Sequence, residues 1–266
     1  MVDFTRLEAV RQRRPLIHCV SNIVTANDCA NLALAVGASP IMAQAAQEMG
    51  DITAAADATV LNTGTPDEIK FEVCALCVKA APAGHPVVLD PVGVGASPWR
   101  LRRVRELLHL FTPAILRVNL GEARALAGQT GREQGVDSPD RAGREARLAA
   151  AKALAVRRRA AVLLSGPEDI VTDGTAAWCL SGGSDLMASV TGTGCMLSVL
   201  CGVFAAVEPD PVQAAVLASA FWKVCSRRAE EAAGGRGPGS FRAALMDAAG
   251  TLTVADFAAL AQIREL

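Results

Sequence analysis

Ser189-Val190-Thr191-Gly192-Thr193-Gly194-Cys195-Met196-Leu197-Ser198-Val199-Leu200-Cys201-Gly202 starts small and polar, then turns apolar with helical spacing. The low bulk of residues 191–194 lets backbone N–H groups approach a ligand closely, and glycine there is free to take a positive φ. The run 195–207 that follows reads as a buried helix. A helix N-terminus presents unpaired N–H groups and about half a positive charge. Loop and helix together make a seat for an anion such as phosphate. Cys195 falls in the first turn, where a thiol is expected to acidify. The same stretch also reads as an ordinary glycine turn ahead of a core helix, so the rest of the chain has to decide.

Upstream of this stretch, short apolar runs alternate with helical patterns. Residues 16–20, 39–43, 59–62, 86–90, 115–119 and 161–165 read as buried strands. Helical spacing fills 5–14, 25–36, 45–56, 66–82, 98–110, 121–127 and a stretch ending at 159. Residues 170–173 and 176–180 read as a hairpin, and 128–146 as a charged, glycine-rich, solvated loop. Beyond the glycine stretch, helices are expected at 195–207, 211–232, 239–248 and 253–266. Strand–helix alternation means βαβ units around a mostly parallel sheet, with right-handed connections. No repeat and no long linker divides the 266 residues, so one domain over 1–266 is expected.

Composition narrows the function classes. The net charge is −1, which argues against nucleic acid as a partner. No stretch reaches the roughly 18 uninterrupted apolar residues of a membrane span. The first residues carry acids and no apolar export core, so a cytoplasmic location is expected. The 8 cysteines lie mostly in apolar runs and read as free thiols of a reducing compartment. Cys74 and Cys77 have CxxC spacing, but inside a helical pattern and without a second pair or a nearby histidine.

Ligands of open α/β sheets bind beyond the carboxyl ends of the strands. Polar residues gather there: Asn22, Met42 beside them, Asn62, Asp90, Arg117 with Asn119, and Ser165. Each asparagine also reads as a helix cap, Asp90 before Pro91 as a turn residue, and Met42 as core. Arg117 is different, because an arginine inside an apolar strand needs an anionic partner. Asn119 and Glu122 have capping-box spacing; alternatively, Glu122 orders magnesium-bound water near a phosphate. His18 reads as a satisfied core histidine, and the basic residues at 100–105 as a solvated helix face.

Taken in order, these segments resemble the hydroxyethylthiazole kinases, a family of the ribokinase-like superfamily. The resemblance is carried by Asn22 onward, Gly37-Ala38-Ser39-Pro40-Ile41-Met42-Ala43, Asn62-Thr63-Gly64-Thr65, Leu89-Asp90-Pro91-Val92-Gly93, Arg117-Val118-Asn119-Leu120-Gly121-Glu122 and Thr191-Gly192-Thr193-Gly194-Cys195. Most ribokinase-like kinases carry aspartate where Cys195 stands; this family carries cysteine. The resemblance implies a three-layer α/β sandwich with a mostly parallel sheet, and ATP-dependent phosphorylation of a thiazole alcohol in thiamin salvage. It further implies magnesium and a homotrimer with active sites at subunit interfaces. By position it implies Met42, Gly192 and Asn22 on the substrate, Arg117, Ser165 and Asn119 on ATP, and Asp90 and Glu122 on the metal. Thr193 and Gly194 join Gly192 in the catalytic loop, and Cys195 faces the alcohol as base or as positioning group. Two residues depart from the family pattern. Val118 replaces a usual glycine and is expected to crowd the nucleotide; Ser165 stands where threonine is frequent. The loop 128–146 also differs in composition.

Overall fold

The computed structural model describes residues 2–128 and 143–266. Four- or five-residue apolar runs suit strands buried on both faces, which must be covered by helices. The chain supplies them alternately: α1 (Arg6–Arg13), β1 (Leu16–Val20), α2 (Ala26–Val36), β2 (Ser39–Ile41), α3 (Met49–Ala55), β3 (Ala58–Asn62), α4 (Glu68–Ala80) and β4 (Val87–Asp90). Next come α5 (Pro98–Leu110), β5 (Ile115–Val118), α6 (Leu120–Ala127), α7 (Arg144–Arg158), β6 (Ala161–Leu164), β7 (Asp169–Thr172) and β8 (Ala177–Ser181). The chain closes with α8 (Thr193–Ala205), α9 (Pro211–Ala233), α10 (Pro238–Thr251), α11 (Val254–Leu260) and β9 (Gln262–Glu265). Asp67, Ser97, Asn119 and Asp210 accept hydrogen bonds from the first turns they open, as N-caps should.

Among the described residues the strands form one nine-stranded sheet in the order β2-β1-β3-β4-β5-β6-β7-β8-β9. Pairings from β2 to β6 are parallel and those from β6 to β9 antiparallel. One face packs α1, α2 and α8 to α11, and the other packs α3 to α7. This is the three-layer sandwich expected of the ribokinase-like fold. No single helix is long and apolar enough to cross a membrane among the described residues.

The chain end departs from the reading of 253–266 as helix. The helix stops at Leu260, and Gln262–Glu265 pairs antiparallel with β8. Without β9, β8 would be an open edge with unpaired backbone groups; a ladder partner there outweighs the helical tendency of a short terminal segment. The stretch 45–56 is also not one helix: a single 3-10 turn at Ala46–Glu48 precedes α3. Of the loop read at 128–146, residues 129–142 lie outside the described residues, and α7 is already under way at Arg144.

His18 is satisfied in the core. Its ring nitrogens lie 3.1 Å from Thr53 Oγ1 and 3.2 Å from the Ala43 carbonyl, and burial holds its pKa down. All eight cysteines are buried and free, Cys74 and Cys77 included. The basic face of α5 is engaged as well as solvated: Arg103 pairs with Glu68 and stacks over Phe71.

Candidate active site

Strand parity builds the site. Val60, Val88, Ile115 and Leu163 face the layer containing α8. Side chains two residues further along a strand share that face. Asn62, Asp90, Arg117 and Ser165 therefore converge under α8, at the carboxyl ends of four adjacent strands. Val118 has the opposite parity. It is fully buried in the other core, beside Leu116 and Leu164, on the face away from Arg117.

The convergent residues form one hydrogen-bonded net. Arg117 Nη2 donates to Ser165 Oγ at 2.6 Å, and Nη1 lies 3.5 Å from Asp90 Oδ1. Asp90 Oδ2 accepts from Ser198 Oγ at 2.7 Å and from Asn62 Nδ2 at 3.0 Å. Asn22 Nδ2 reaches Asn62 Oδ1 and Cys195 Sγ, each at 3.3 Å. Asn22 Oδ1 meanwhile accepts from the Val24 and Thr25 amides, so the asparagine also holds the approach to α2. The anion that Arg117 requires is thus partly supplied from within, by Asp90.

Gly192 opens α8 with φ of 85° and without a side-chain cap. Among the described residues the amides of Thr193, Gly194 and Cys195 have no hydrogen-bond acceptor, and residues 192–194 are partly exposed. They remain open to a ligand or to water. The helix start is fixed from behind. Trp222 Nε1 donates to the Thr193 carbonyl at 3.1 Å, and Thr193 Oγ1 donates to the Met187 carbonyl at 3.2 Å. A Cβ on Gly194 would lie 2.6–2.8 Å from the Arg117 guanidinium, so the cation and the open amides are neighbours.

Burial sets the charges. It pushes Asp90 up, against the pull of Arg117, while Asp90 and Glu122 overcome the effect of burial and hold Arg117 up. Glu122 is raised to about 7, by burial first, with Arg117 opposing and Asp90 adding. Its two oxygens accept from the Gly93 amide at 2.9 Å and the Asn119 amide at 2.8 Å, and Asn119 Oδ1 caps Glu122 in return. The capping box is therefore real, and it aims a buried carboxyl toward Asp90. Cys195 corrects an expectation: its thiol is raised, not acidified, by burial and then by the Asp90 charge. Desolvation outweighs the helix terminus here.

Asp90 Oδ1 is buried without a hydrogen-bond partner. Each Glu122 oxygen keeps a lone pair beyond the N–H it accepts. Two such carboxyls suit a hard cation that brings most of its own oxygen ligands. No group of three or more metal-binding side chains gathers among the described residues.

Met42, just beyond β2, is half-buried against the α8-side core. Sequence reasoning missed Ser198 and Trp222. Ser198 stands one helical turn after Gly194 in an otherwise apolar helix, and that isolated hydroxyl was the available signal. Trp222 acts across a separation of 29 residues and carried none.

A mostly parallel sheet that ends in an open helix N-terminus beside a buried Arg–Asp pair defines a small-molecule kinase of ribokinase-like fold. The chain belongs to the hydroxyethylthiazole kinase family, whose sequence profile matches residues 7–255. A hydroxyethylthiazole kinase of Listeria monocytogenes is 43% identical over 266 residues, covering 100% of this chain and 98% of the relative. The structure of the hydroxyethylthiazole kinase protein from Pyrococcus horikoshii superposes with a TM-score of 0.89 at 34% identity, covering 99% of this chain and 98% of that one. Pyridoxal kinase from Staphylococcus aureus in complex with AMP-PCP shares the fold at a TM-score of 0.60 and 15% identity, over 80% of this chain and 88% of its own.

Proposed function

We propose that this kinase transfers the γ-phosphoryl group of ATP to the hydroxyl of 4-methyl-5-(2-hydroxyethyl)thiazole, a salvage step toward thiamin. The observation that carries the reading is the open row of amides at residues 193–195 with the Arg117 guanidinium beside it. The names of its family relatives support the thiazole as acceptor. Incubation with magnesium-ATP and the thiazole alcohol, followed by mass spectrometry, tests it: thiazole phosphate is expected. Phosphorylation only of a hydroxymethylpyrimidine, or binding without turnover, would contradict it.

Phosphoryl transfer passes through a loose transition state whose charge is spread over the moving group. Donors fixed in advance and aimed at that charge supply most of the catalysis. In this reading the amides of Thr193, Gly194 and Cys195 hold the moving group from the helix side and Arg117 from the sheet side. Ser165 and Asp90 keep the guanidinium aimed, so it needs no reorganisation during the reaction. Gly192 and Met42 line the thiazole, and Asn22 sets the alcohol against Cys195. Asn119 shapes the nucleotide corner through its cap on α6. Asp90 and Glu122 would hold magnesium, which when bound supplies positive charge to the phosphates.

Removing one negative charge from the metal side is the simplest check. Glu122→Gln is expected to need about tenfold more magnesium for half-maximal turnover, the usual size of such a loss. Superimposable magnesium titrations for the two proteins would take Glu122 away from the metal.

The raised thiol makes Cys195 a neutral positioning group for the alcohol. The proton leaves late in a loose transition state, so a strong base is not required. Turnover should therefore not climb with pH through the thiol range above its ordinary 9.0. Cys195→Ser is expected to lose about tenfold in kcat, below the range typical of a lost general base. A kcat that rises tenfold per pH unit in the native protein and not in the serine variant would restore the thiolate as base. Unchanged turnover in the variant would remove Cys195 from the chemistry.

Ile23 and Val24, at 83% and 61% exposure, directly follow Asn22 at this end of the site. An apolar surface there supports a trimer whose interfaces cover the active sites. The single continuous sheet supports one kinase unit over 1–266, and the eight free thiols support a reducing cytoplasm.

A further inference from the structure

Lys70 lies in the first turn of α4 and is only 7% exposed. Its Nζ donates to the Ser21 carbonyl and, at 3.0 Å, to Gln44 Oε1. Gln44 Nε2 donates to the same Ser21 carbonyl at 3.2 Å, closing a three-membered clamp. Among the described residues no carboxylate forms an ion pair with this ammonium; Asp67 instead caps the Lys70 amide. A buried ammonium without a counterion is costly, and an apolar side chain of the same length would serve the core better. What the clamp joins is informative. Ser21 immediately precedes Asn22, which reaches Cys195, and Gln44 is two residues beyond Met42.

We propose that Lys70, with Gln44, is a positioning residue for the acceptor alcohol. It ties the Asn22 turn to the Met42 loop and so fixes the separation of the two walls between which a small heterocyclic alcohol lies. The inference rests on the proposed reaction and deepens it. It gives an uncompensated charge a task on the acceptor side, through Ser21 and Gln44 and without a hydrogen bond to Arg117 or Ser165. Burial, opposed by Cys74 and Asp67, lowers the pKa of the amine without supplying the partner it lacks.

Lys70→Met and Gln44→Ala, singly and together, test it through KM for each substrate, kcat and the melting temperature. Lys70→Met is expected to raise the alcohol KM about tenfold and Gln44→Ala about threefold, losses the size of one polar contact or less. The KM for ATP should stay within about twofold, and Lys70→Met should melt no lower than the native protein, as expected when a buried unpaired charge gives way to an apolar side chain. The double variant should be no worse than Lys70→Met, because the two residues act as one clamp. An unchanged alcohol KM, or equal rises in both KM values, would overturn the proposal. Gln44 is exposed, so its variant decides alone if Lys70→Met does not fold. Absence of alcohol phosphorylation by the native protein would instead overturn the proposed reaction, and the clamp with it.

Discussion

Gly194→Ala is expected to lower kcat about a thousandfold, the upper end for disabling one fixed donor of this kind, at a cost in stability smaller than that of removing Arg117 outright. Gly194 has an ordinary helical φ in the first turn of α8, where alanine is the better helix former. The added methyl would nevertheless stand 2.6–2.8 Å from the Arg117 guanidinium. That cation is tethered to Ser165 and Asp90, so it must swing off its aim or push the helix start away. Either movement separates the two groups proposed to grip the phosphoryl. Gly192→Ala gives the contrast: its φ is 85° and the new methyl would collide with Thr25 Cγ2, so stability falls together with activity. Steady-state kinetics and thermal melting of both variants separate the effects. A Gly194→Ala enzyme with near-native kcat would show that Arg117 does not need its place.

Arg117→Met is expected to cost about 3–5 kcal/mol of stability, the usual result of leaving one partner of a buried ion pair behind, and to abolish measurable turnover. Asp90 has no exposure and would lose the one cation that pairs with it among the described residues, keeping Ser198 and Asn62. The sign of the pH effect follows. With Arg117 gone, the folded pKa of Asp90 rises further above its unfolded value of 3.8, so the folded variant takes up a proton. The deficit relative to the native protein should therefore shrink as pH falls toward 4 and grow toward neutrality. Urea midpoints at several pH values measure this directly. A deficit independent of pH would mean that Asp90 finds another partner.

Much of this site was legible because helical spacing after Gly194 located α8, and the carboxyl ends of the apolar strands placed Asn62, Asp90, Arg117 and Ser165 along one edge of the sheet; that they also share one face is a matter of strand parity, which the structure supplied. Arg117 announced itself as a charge in an apolar strand. Its partner did not, because parallel pairing of β4 with β5 is a long-range fact. Cys195 was misread for a related reason. The helix terminus that acidifies a thiol is local, whereas the burial and the Asp90 charge that raise it come from elsewhere in the fold. Val118 shows the same limit from the other side: a residue next to Arg117 in sequence is on the opposite face in space. The strand at Gln262–Glu265 exists because β8 offers an edge, which nothing in the last residues records.

The central claim is that the amides of 193–195 and Arg117 hold the phosphoryl group more tightly in flight than at rest. Calorimetric affinities for ADP with aluminium fluoride, a planar stand-in for the moving group, and for ADP alone measure this in the presence of magnesium and the thiazole alcohol. The native protein should bind the fluoride complex at least about a hundredfold more tightly than ADP, as transition-state mimics are bound, and Gly194→Ala should lose that gain with its ADP affinity intact. Equal affinities in the native protein, or a gain that survives in Gly194→Ala, would contradict it.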